Sequence, residues 1–149
     1  MITESTPEDF KQPVLQYHGN NEFLLIIDYI FTWESNGIQK RLNIPAGFSY
    51  DKASVPRRLG PLLGFNRDGE HEAAALVHDR LYLFKGRLPR GEFQTFVIGS
   101  GWVDDPSPWT RAQADEMLRY MSVLGGMPKW KASVEKWACK LWPGNYFKF

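Results

Sequence analysis

The segment from Glu70 to Tyr82 predicts a helix that is apolar around most of its circumference. Projected at about 100° per residue, its main apolar stripe consists of Ala73, Ala74, Val77, Leu81 and Phe84. A second apolar arc consists of Ala75, Tyr82, Leu76 and Leu83. A helix that is apolar on two sides is normally buried between other elements. We therefore expect this helix, from about Asp68 to Lys85, to lie inside the core.

Two adjacent polar residues interrupt this apolar pattern. His78 borders the main stripe, and Asp79 falls within the second arc, so both side chains are expected to lose water on folding. Because an unpaired buried charge is costly, each should have a partner elsewhere in the chain. The pattern therefore predicts a buried polar site around His78 and Asp79.

The chain before this helix predicts mainly β-structure. An extended arm is expected over residues 1–13. Phe23 to Trp33 and Ile38 to Ile44 predict two strands, and Asn36-Gly37 between them is the preferred pair of a tight hairpin turn. The loop that follows contains Ser54, which predicts the cap of a short helix over residues 57–59.

The chain after the helix predicts a long excursion and two more helices. Residues 86–109 form the excursion, with one strand at Phe93 to Ile98. Thr110 and Gln113 predict a capping box, and that helix ends at Gly125-Gly126. The last helix begins at Pro128, and its helical-period stripe is expected to face the core: Trp130, Val134, Trp137, Ala138 and Leu141. The fold class is therefore α+β, a single domain over residues 1–149 with an N-terminal hairpin or small antiparallel sheet packed against three helices.

Composition excludes several classes of protein. The 43% hydrophobic content argues against disorder, and no apolar run is long enough to span a bilayer. The first residues lack the basic and apolar regions of a secretory signal, so a cytoplasmic location is expected. The single cysteine, Cys139, rules out an internal disulfide and predicts a small core residue. No zinc-finger, RNP, Walker or dinucleotide motif is present, which leaves nucleic acid, ATP, NAD and flavin without support.

Four blocks in order resemble a phage and prophage domain family of unknown function, DUF1353. They are Ile44 to Phe48, then Tyr50-Asp51 with Ala53 to Arg57, then Ala74 to Asp79 with Leu81-Tyr82, and then Arg111 with Ala114-Asp115. The resemblance covers roughly residues 20–126 and implies a phage or prophage origin, in the host cytoplasm or in the virion, but no activity. Lys52 stands where the family usually has glycine.

The His-Asp pair suits general base catalysis, since a histidine near neutral pKa can take a proton from water. Adjacent helical residues point about 100° apart, so the acid that orients His78 should be Asp115 or Asp51 rather than Asp79. The segment is also similar to the His-Asp-x-x-Tyr helix of secreted calcium-dependent phospholipases. That similarity implies His78 as base, Asp79 as calcium ligand and Asp115 as the orienting acid. The disulfides and glycine-rich calcium loop of those enzymes have no counterpart here.

Two hypotheses of different class follow. The first is a phage-encoded hydrolase acting on an ester or phosphoester, with His78 as base. Asp79, Asp51 and Asp115 are then orienting groups or ligands of a divalent metal such as calcium or magnesium. The second is a virion or tail-associated module that contacts other phage structural proteins, in which the cluster only fixes the fold and Asp79 pairs with Arg111. A cleft exposing His78 favours the first, and complete burial of His78 favours the second.

Overall fold

The computed structural model describes residues 2–3, 10–20, 22–50 and 71–141. Within these ranges the chain forms two antiparallel sheets and three helices, which confirms the predicted α+β class. The strands are β1 (Ile2–Thr3), β2 (Leu15–Gly19), β3 (Glu22–Leu25), β4 (Tyr29–Ser35), β5 (Ile38–Ile44), β6 (Ser49–Tyr50), β7 (Phe93–Val97) and β8 (Gly101–Asp104). The helices are α1 (Glu72–Leu83), α2 (Arg111–Leu124) and α3 (Lys129–Leu141).

The larger sheet has five strands in the order β1-β4-β5-β7-β8, and the smaller has three in the order β2-β3-β6. Along β4, Tyr29, Phe31 and Trp33 are buried while the residues between them are exposed. This alternation places one face of the larger sheet on the core. Phe31 contacts Tyr120 of α2 at a ring-centroid distance of 6.3 Å, so the helices cover that face.

The predicted hairpin is confirmed, with a boundary that differs from the expectation. Asn36 and Gly37 both have positive φ, 53° and 76°, as the tight turn between β4 and β5 requires. The segment Phe23 to Trp33, however, is not one strand. It is divided between β3 and β4 at residues 26–28, where the chain passes from the smaller sheet to the larger one. Asp28 Oδ1 accepts a hydrogen bond from the Ala46 backbone N–H at 2.8 Å and fixes this crossing.

The predicted excursion over residues 86–109 is largely a second hairpin. Its strand at Phe93 is present as β7, but β8 follows directly and pairs with it. β7 in turn pairs with β5, so the hairpin widens the larger sheet instead of leaving it. The sequence prediction missed β8 because its short run lies between a glycine and two aspartates.

Local capping signals position α2 as predicted. The Thr110 side chain accepts from the Gln113 backbone N–H at 3.2 Å, and the Gln113 side chain accepts from the Thr110 backbone N–H at 2.8 Å. Gly125 ends the helix. α1 begins within the predicted Asp68 to Lys85, although Asp68 itself, like Ser54 and residues 57–59, lies outside the described residues. Of the predicted arm, residues 10–13 have no regular secondary structure, and the Gln12 side chain accepts from the Ala73 backbone N–H at 2.9 Å.

The predicted core stripe of α3 is wrong in its two largest members. Trp130 and Trp137 are 64% and 60% exposed. The buried face carries Ala132, Glu135, Ala138 and Cys139 instead. α2 packs directly against α3, and small side chains let two helices approach more closely than indoles do. The small residues therefore occupy the interface with α2, and the tryptophans lie outside it.

Truncating an exposed tryptophan of α3 should scarcely change stability. We expect Trp130→Ala and Trp137→Ala each to alter the free energy of unfolding by less than about 0.5 kcal/mol, as is usual for surface positions. Ala132→Leu, on the buried face of the same helix, should cost about 1–3 kcal/mol by overpacking. Urea unfolding measures all three, and a loss above 1 kcal/mol in either tryptophan variant would contradict this orientation of α3.

Candidate active site

The predicted site residues His78 and Asp115 meet between α1 and α2. His78 Nε2 lies 2.8 Å from Asp115 Oδ1, and the two residues are only 3% and 4% exposed. Of the two aspartates expected to orient the ring, Asp115 lies at hydrogen-bond distance, whereas Asp79 Oδ1 is 3.9 Å from the other ring nitrogen.

Asp115 is hydrogen-bonded to a second side chain besides His78. Its Oδ1 also accepts from the Tyr82 hydroxyl at 2.5 Å, one helical turn beyond His78 on α1. The Tyr82 oxygen in turn accepts from Arg111 Nε at 3.1 Å, and Arg111 Nη2 donates to the Cys139 carbonyl at 2.6 Å. We call His78, Tyr82, Arg111 and Asp115 the His78 network. It joins α1 and α2 and reaches the backbone of α3.

The network determines which nitrogen of His78 is available. A carboxylate accepts only, so Nε2 carries the hydrogen and Nδ1 has the lone pair in the neutral ring. Among the described residues, Nδ1 has no hydrogen-bond partner. Burial lowers the pKa of His78, but the hydrogen bond to Asp115 and the nearby carboxylates of Asp79 and Asp115 raise it by more, so the net pKa lies above the ordinary value. The site therefore combines a strong base with a fixed ring orientation.

Asp79 lies on the outer side of this network. Its Oδ1 is 3.9 Å from His78 Nδ1, and its side chain is 22% exposed. Burial and the charges of Glu72 and Asp79 all raise the pKa of Tyr50, so the end of β6 lies close to α1 here. Asp51 follows Tyr50 in the sequence but lies outside the described residues. Its predicted role with Asp79 in holding a metal stays a prediction.

Two buried residues of α3 were not identified as part of the site from the sequence. Glu135 is fully buried, and its Oε2 accepts from the Ser122 hydroxyl at 3.0 Å. Burial raises the pKa of Glu135 to about 7. The Cys139 side chain lies one turn further on, as its i,i+4 spacing from Glu135 implies, and is buried as predicted. A glutamate in a charged helix normally indicates a solvated face. The only sequence signal that Glu135 is buried was its i,i+4 spacing from the expected core residue Cys139.

Three side chains of the cluster lie close enough together to bind a metal ion, but their chemistry does not suit one. Donor atoms of His78, Asp115 and Cys139 lie within 4.8 Å of one another. However, Asp115 Oδ1 already accepts from the histidine and from Tyr82. Burial, together with the nearby carboxylates of Asp115, Glu135 and Asp79, also raises the pKa of the Cys139 thiol. The thiol therefore stays protonated, which disfavours it both as a nucleophile and as a ligand.

No helix in the described part of the chain has the length and apolar character needed to cross a membrane.

Comparison with known proteins identifies the family. No curated protein and no solved structure matches the sequence. Residues 25–139, which include the whole His78 network, match the family described as protein of unknown function, DUF1353. The chain with this His–Asp–Tyr–Arg network therefore belongs to the DUF1353 family.

Proposed function

We propose that the protein is a phage- or prophage-encoded hydrolase in which His78 is the general base. The observation that carries the proposal is the asymmetry of the His78 ring. Asp115 fixes Nε2 at 2.8 Å, while Nδ1 has no hydrogen-bond partner among the described residues. A base needs this combination, because its reacting nitrogen must keep its lone pair while the other nitrogen is held in one tautomer.

The reaction follows from this orientation. Nδ1 of His78 takes a proton from a water molecule as the water oxygen forms a bond to the carbonyl carbon of an ester. The imidazolium that results is stabilised by the Asp115 carboxylate, which Tyr82 and Arg111 hold in place. When the carbon–oxygen bond to the leaving group breaks, His78 returns the proton to the departing alcohol. Water is consumed, and an acid and an alcohol are produced.

Asp79 supplies the second element of the proposal. Its carboxylate is 3.9 Å from Nδ1 and is more exposed than either His78 or Asp115. Carboxylate oxygens suit a hard divalent cation, for which we propose calcium. Such a cation would polarise the ester carbonyl. In this proposal Asp79 holds the cation and Asp51, next to Tyr50 in the sequence, is its partner ligand.

The burial of His78 favours a second candidate function, as expected for a cluster that only fixes the fold. At 3% exposure the ring has almost no contact with solvent. A buried network can serve only to fix the packing of three helices. The chain would then be a virion or tail-associated module, and the exposed indoles of Trp130 and Trp137 would contact other phage structural proteins. This candidate places no reaction at His78.

Ester hydrolysis by a His78 variant distinguishes the two functions. We expect the purified protein to hydrolyse a short-chain phospholipid or a chromogenic ester in millimolar calcium. We expect His78→Gln to lower the rate by about 10²–10⁴-fold, the usual contribution of a general base. Asp79→Asn should abolish the calcium-dependent activity and the rise in melting temperature that calcium gives the wild type, since a cation bound only to the native state stabilises it.

The control is His18→Gln, because His18 is an exposed histidine of β2 far from α1 in sequence. This variant should keep full activity. If none of these esters is hydrolysed, calcium leaves the melting temperature unchanged, and His78→Gln melts far earlier than His18→Gln, the hydrolase proposal is wrong. Copies of the chain in purified phage particles would then support the virion module.

A further inference from the structure

A cavity of about 420 Å³ lies between the larger sheet and α2, separate from the site described above. Its residues come from β4, β5, β7, α2 and the segment before α2. Among the described residues, no member of the His78 network lines it. The volume falls within the range of pockets that hold small molecules, about 300–1,000 Å³.

The walls of this cavity are aromatic. Trp33 and Phe93 lie nearly parallel, with 6.1 Å between their ring centroids and 6° between their planes. Trp109 is inclined against both, at 5.9 Å and 5.2 Å. Tyr120 of α2 completes the aromatic lining. Trp33 and Phe93 are almost fully buried, so the floor of the cavity is fixed. A planar apolar ring can pack on such a surface.

Most polar groups around the cavity can donate hydrogen bonds, and the one carboxylate among its described lining residues, Glu116, is already bound by Arg119. Lys40 Nζ lies 5.1 Å from the centre of the Phe93 ring and 3.7 Å from Asp105, so one carboxylate satisfies only part of its donor capacity. Arg119 directs Nε and Nη2 to Glu116 Oε1. The side-chain oxygen of Gln113 is used in the capping box, which leaves its amide N–H groups as donors.

Trp109 gives an independent indication of a ligand. Its indole Nε1 is buried and has no hydrogen-bond partner among the described residues. Indole nitrogen only donates, and a buried donor without an acceptor costs about 1–3 kcal/mol. A ligand that brings an acceptor group next to this wall would remove that cost. The described residues supply no acceptor for this N–H, so an acceptor group is one feature to expect of a molecule that fills the cavity.

We propose that this cavity binds a small molecule that combines a planar apolar ring with a carboxylate. The ring would pack on Trp33, Phe93 and Trp109, and the carboxylate would lie against Lys40 and Arg119. Charge-assisted hydrogen bonds from lysine and arginine are the strongest that such a rim can offer. This site is separate from the proposed hydrolytic site, so its occupancy does not depend on that proposal.

Three matched probes test the proposal by isothermal titration calorimetry of the full chain. They are naphthalene-2-carboxylate, its neutral carboxamide and the cationic naphthalene-2-methylammonium. We expect the carboxylate to bind at least about tenfold more tightly than the carboxamide, the ratio given by one charge-assisted hydrogen bond, and the ammonium to bind most weakly. Equal binding of all three, tighter binding of the ammonium, or no binding of the carboxylate would overturn the proposal.

Substitution of Lys40 locates the binding site. Lys40→Met keeps an unbranched stem above Phe93 and removes the charge, so it should weaken binding of the carboxylate about tenfold and leave the carboxamide unchanged. The control is Lys129→Met, an exposed lysine at the start of α3, which should bind like the wild type. Melting curves confirm that both variants are folded. If a folded Lys40→Met binds the carboxylate as the wild type does, the ligand lies elsewhere and the proposal is wrong.

Discussion

Replacing Asp115 by alanine is expected to lower the free energy of unfolding by about 3–5 kcal/mol, the usual cost of removing one partner from a buried ion pair. The carboxylate accepts from His78 Nε2 at 2.8 Å and from the Tyr82 hydroxyl at 2.5 Å, and Arg111 Nε is 4.0 Å from it. All of these groups lose their shared acceptor in the variant. For a chain of this length the loss corresponds to a fall in melting temperature of roughly 10 °C.

A matched control separates this network from a general effect of removing an aspartate. Asp28 also accepts one hydrogen bond, from the Ala46 backbone at 2.8 Å, but at an exposed position. Asp28→Ala should therefore cost about 1 kcal/mol. Chemical denaturation of both variants measures the difference. An Asp115→Ala protein within 1 kcal/mol of Asp28→Ala would show that the network does not hold α1 and α2 together.

Asp115→Asn isolates the charge from the hydrogen bonds. The amide oxygen can still accept from Tyr82 and His78, so the fold should be retained. The pKa of His78 should fall, because burial lowers it and one of the two carboxylates that raise it has been removed. NMR titration of the His78 ring measures this shift. Under the hydrolase proposal the same variant should also lose most of its activity, whereas a structural network predicts the pKa change alone.

The predictable parts of the fold are those specified by neighbouring residues. Asn36-Gly37 identifies its own turn, since both positions need positive φ. Thr110 and Gln113 identify the start of α2, since each side chain bonds the other's backbone. The division of Phe23 to Trp33 between two sheets depends on pairing with residues far along the chain, including β6. A local pattern of strand-forming residues contains no such information.

The site was predictable where geometry limits the choices. Because neighbouring residues on a helix diverge, Asp79 was not expected to orient the His78 ring, and Asp115 was one of two aspartates named in its place. The bond from Tyr82 to that aspartate could not be derived from the residues alone, because Tyr82 also fits an apolar arc. The face of α3 that is buried is not the one expected from the tryptophan pattern, and this shows the same limit of prediction from sequence. Tryptophan is usually buried and glutamate exposed, but close packing on α2 favours small residues and brings Glu135 inside.

Glu135 should make the protein less stable as the pH rises from acid to neutral. Its pKa is raised by burial to about 7, whereas an unfolded glutamate titrates near its model value of 4.5. The native state therefore holds a proton that the unfolded state releases between these values, so stability is greatest below about 4.5 and is lost towards 7. From about pH 5 to about pH 8 the loss should be roughly 2–3 kcal/mol, or roughly 5–10 °C in melting temperature.

Other groups around Glu135 affect this pH dependence and must be separated from it. Ser122 donates to its Oε2, and the charges of His78 and Lys131 lower the pKa of Glu135 against the larger effect of burial. The raised pKa of His78 acts in the same direction, but its stabilising effect is lost only as the pH rises above the ordinary histidine value of 6.5. The change between about pH 4.5 and about pH 6.5 therefore belongs mainly to Glu135.

Glu135→Gln assigns the effect, because glutamine has the same shape and no proton to release. Its stability should change little over this range and should exceed that of the wild type at neutral pH. Glu116→Gln is the control, since Glu116 is half-buried and Arg119 and Lys136 overcome the effect of burial, so its pKa is lowered. That variant should keep the wild-type slope. If Glu135→Gln keeps the slope as well, the carboxyl of Glu135 is ionised in the folded protein. Its Oε1, which has no hydrogen-bond partner among the described residues, must then be stabilised as an anion by the charge of His78.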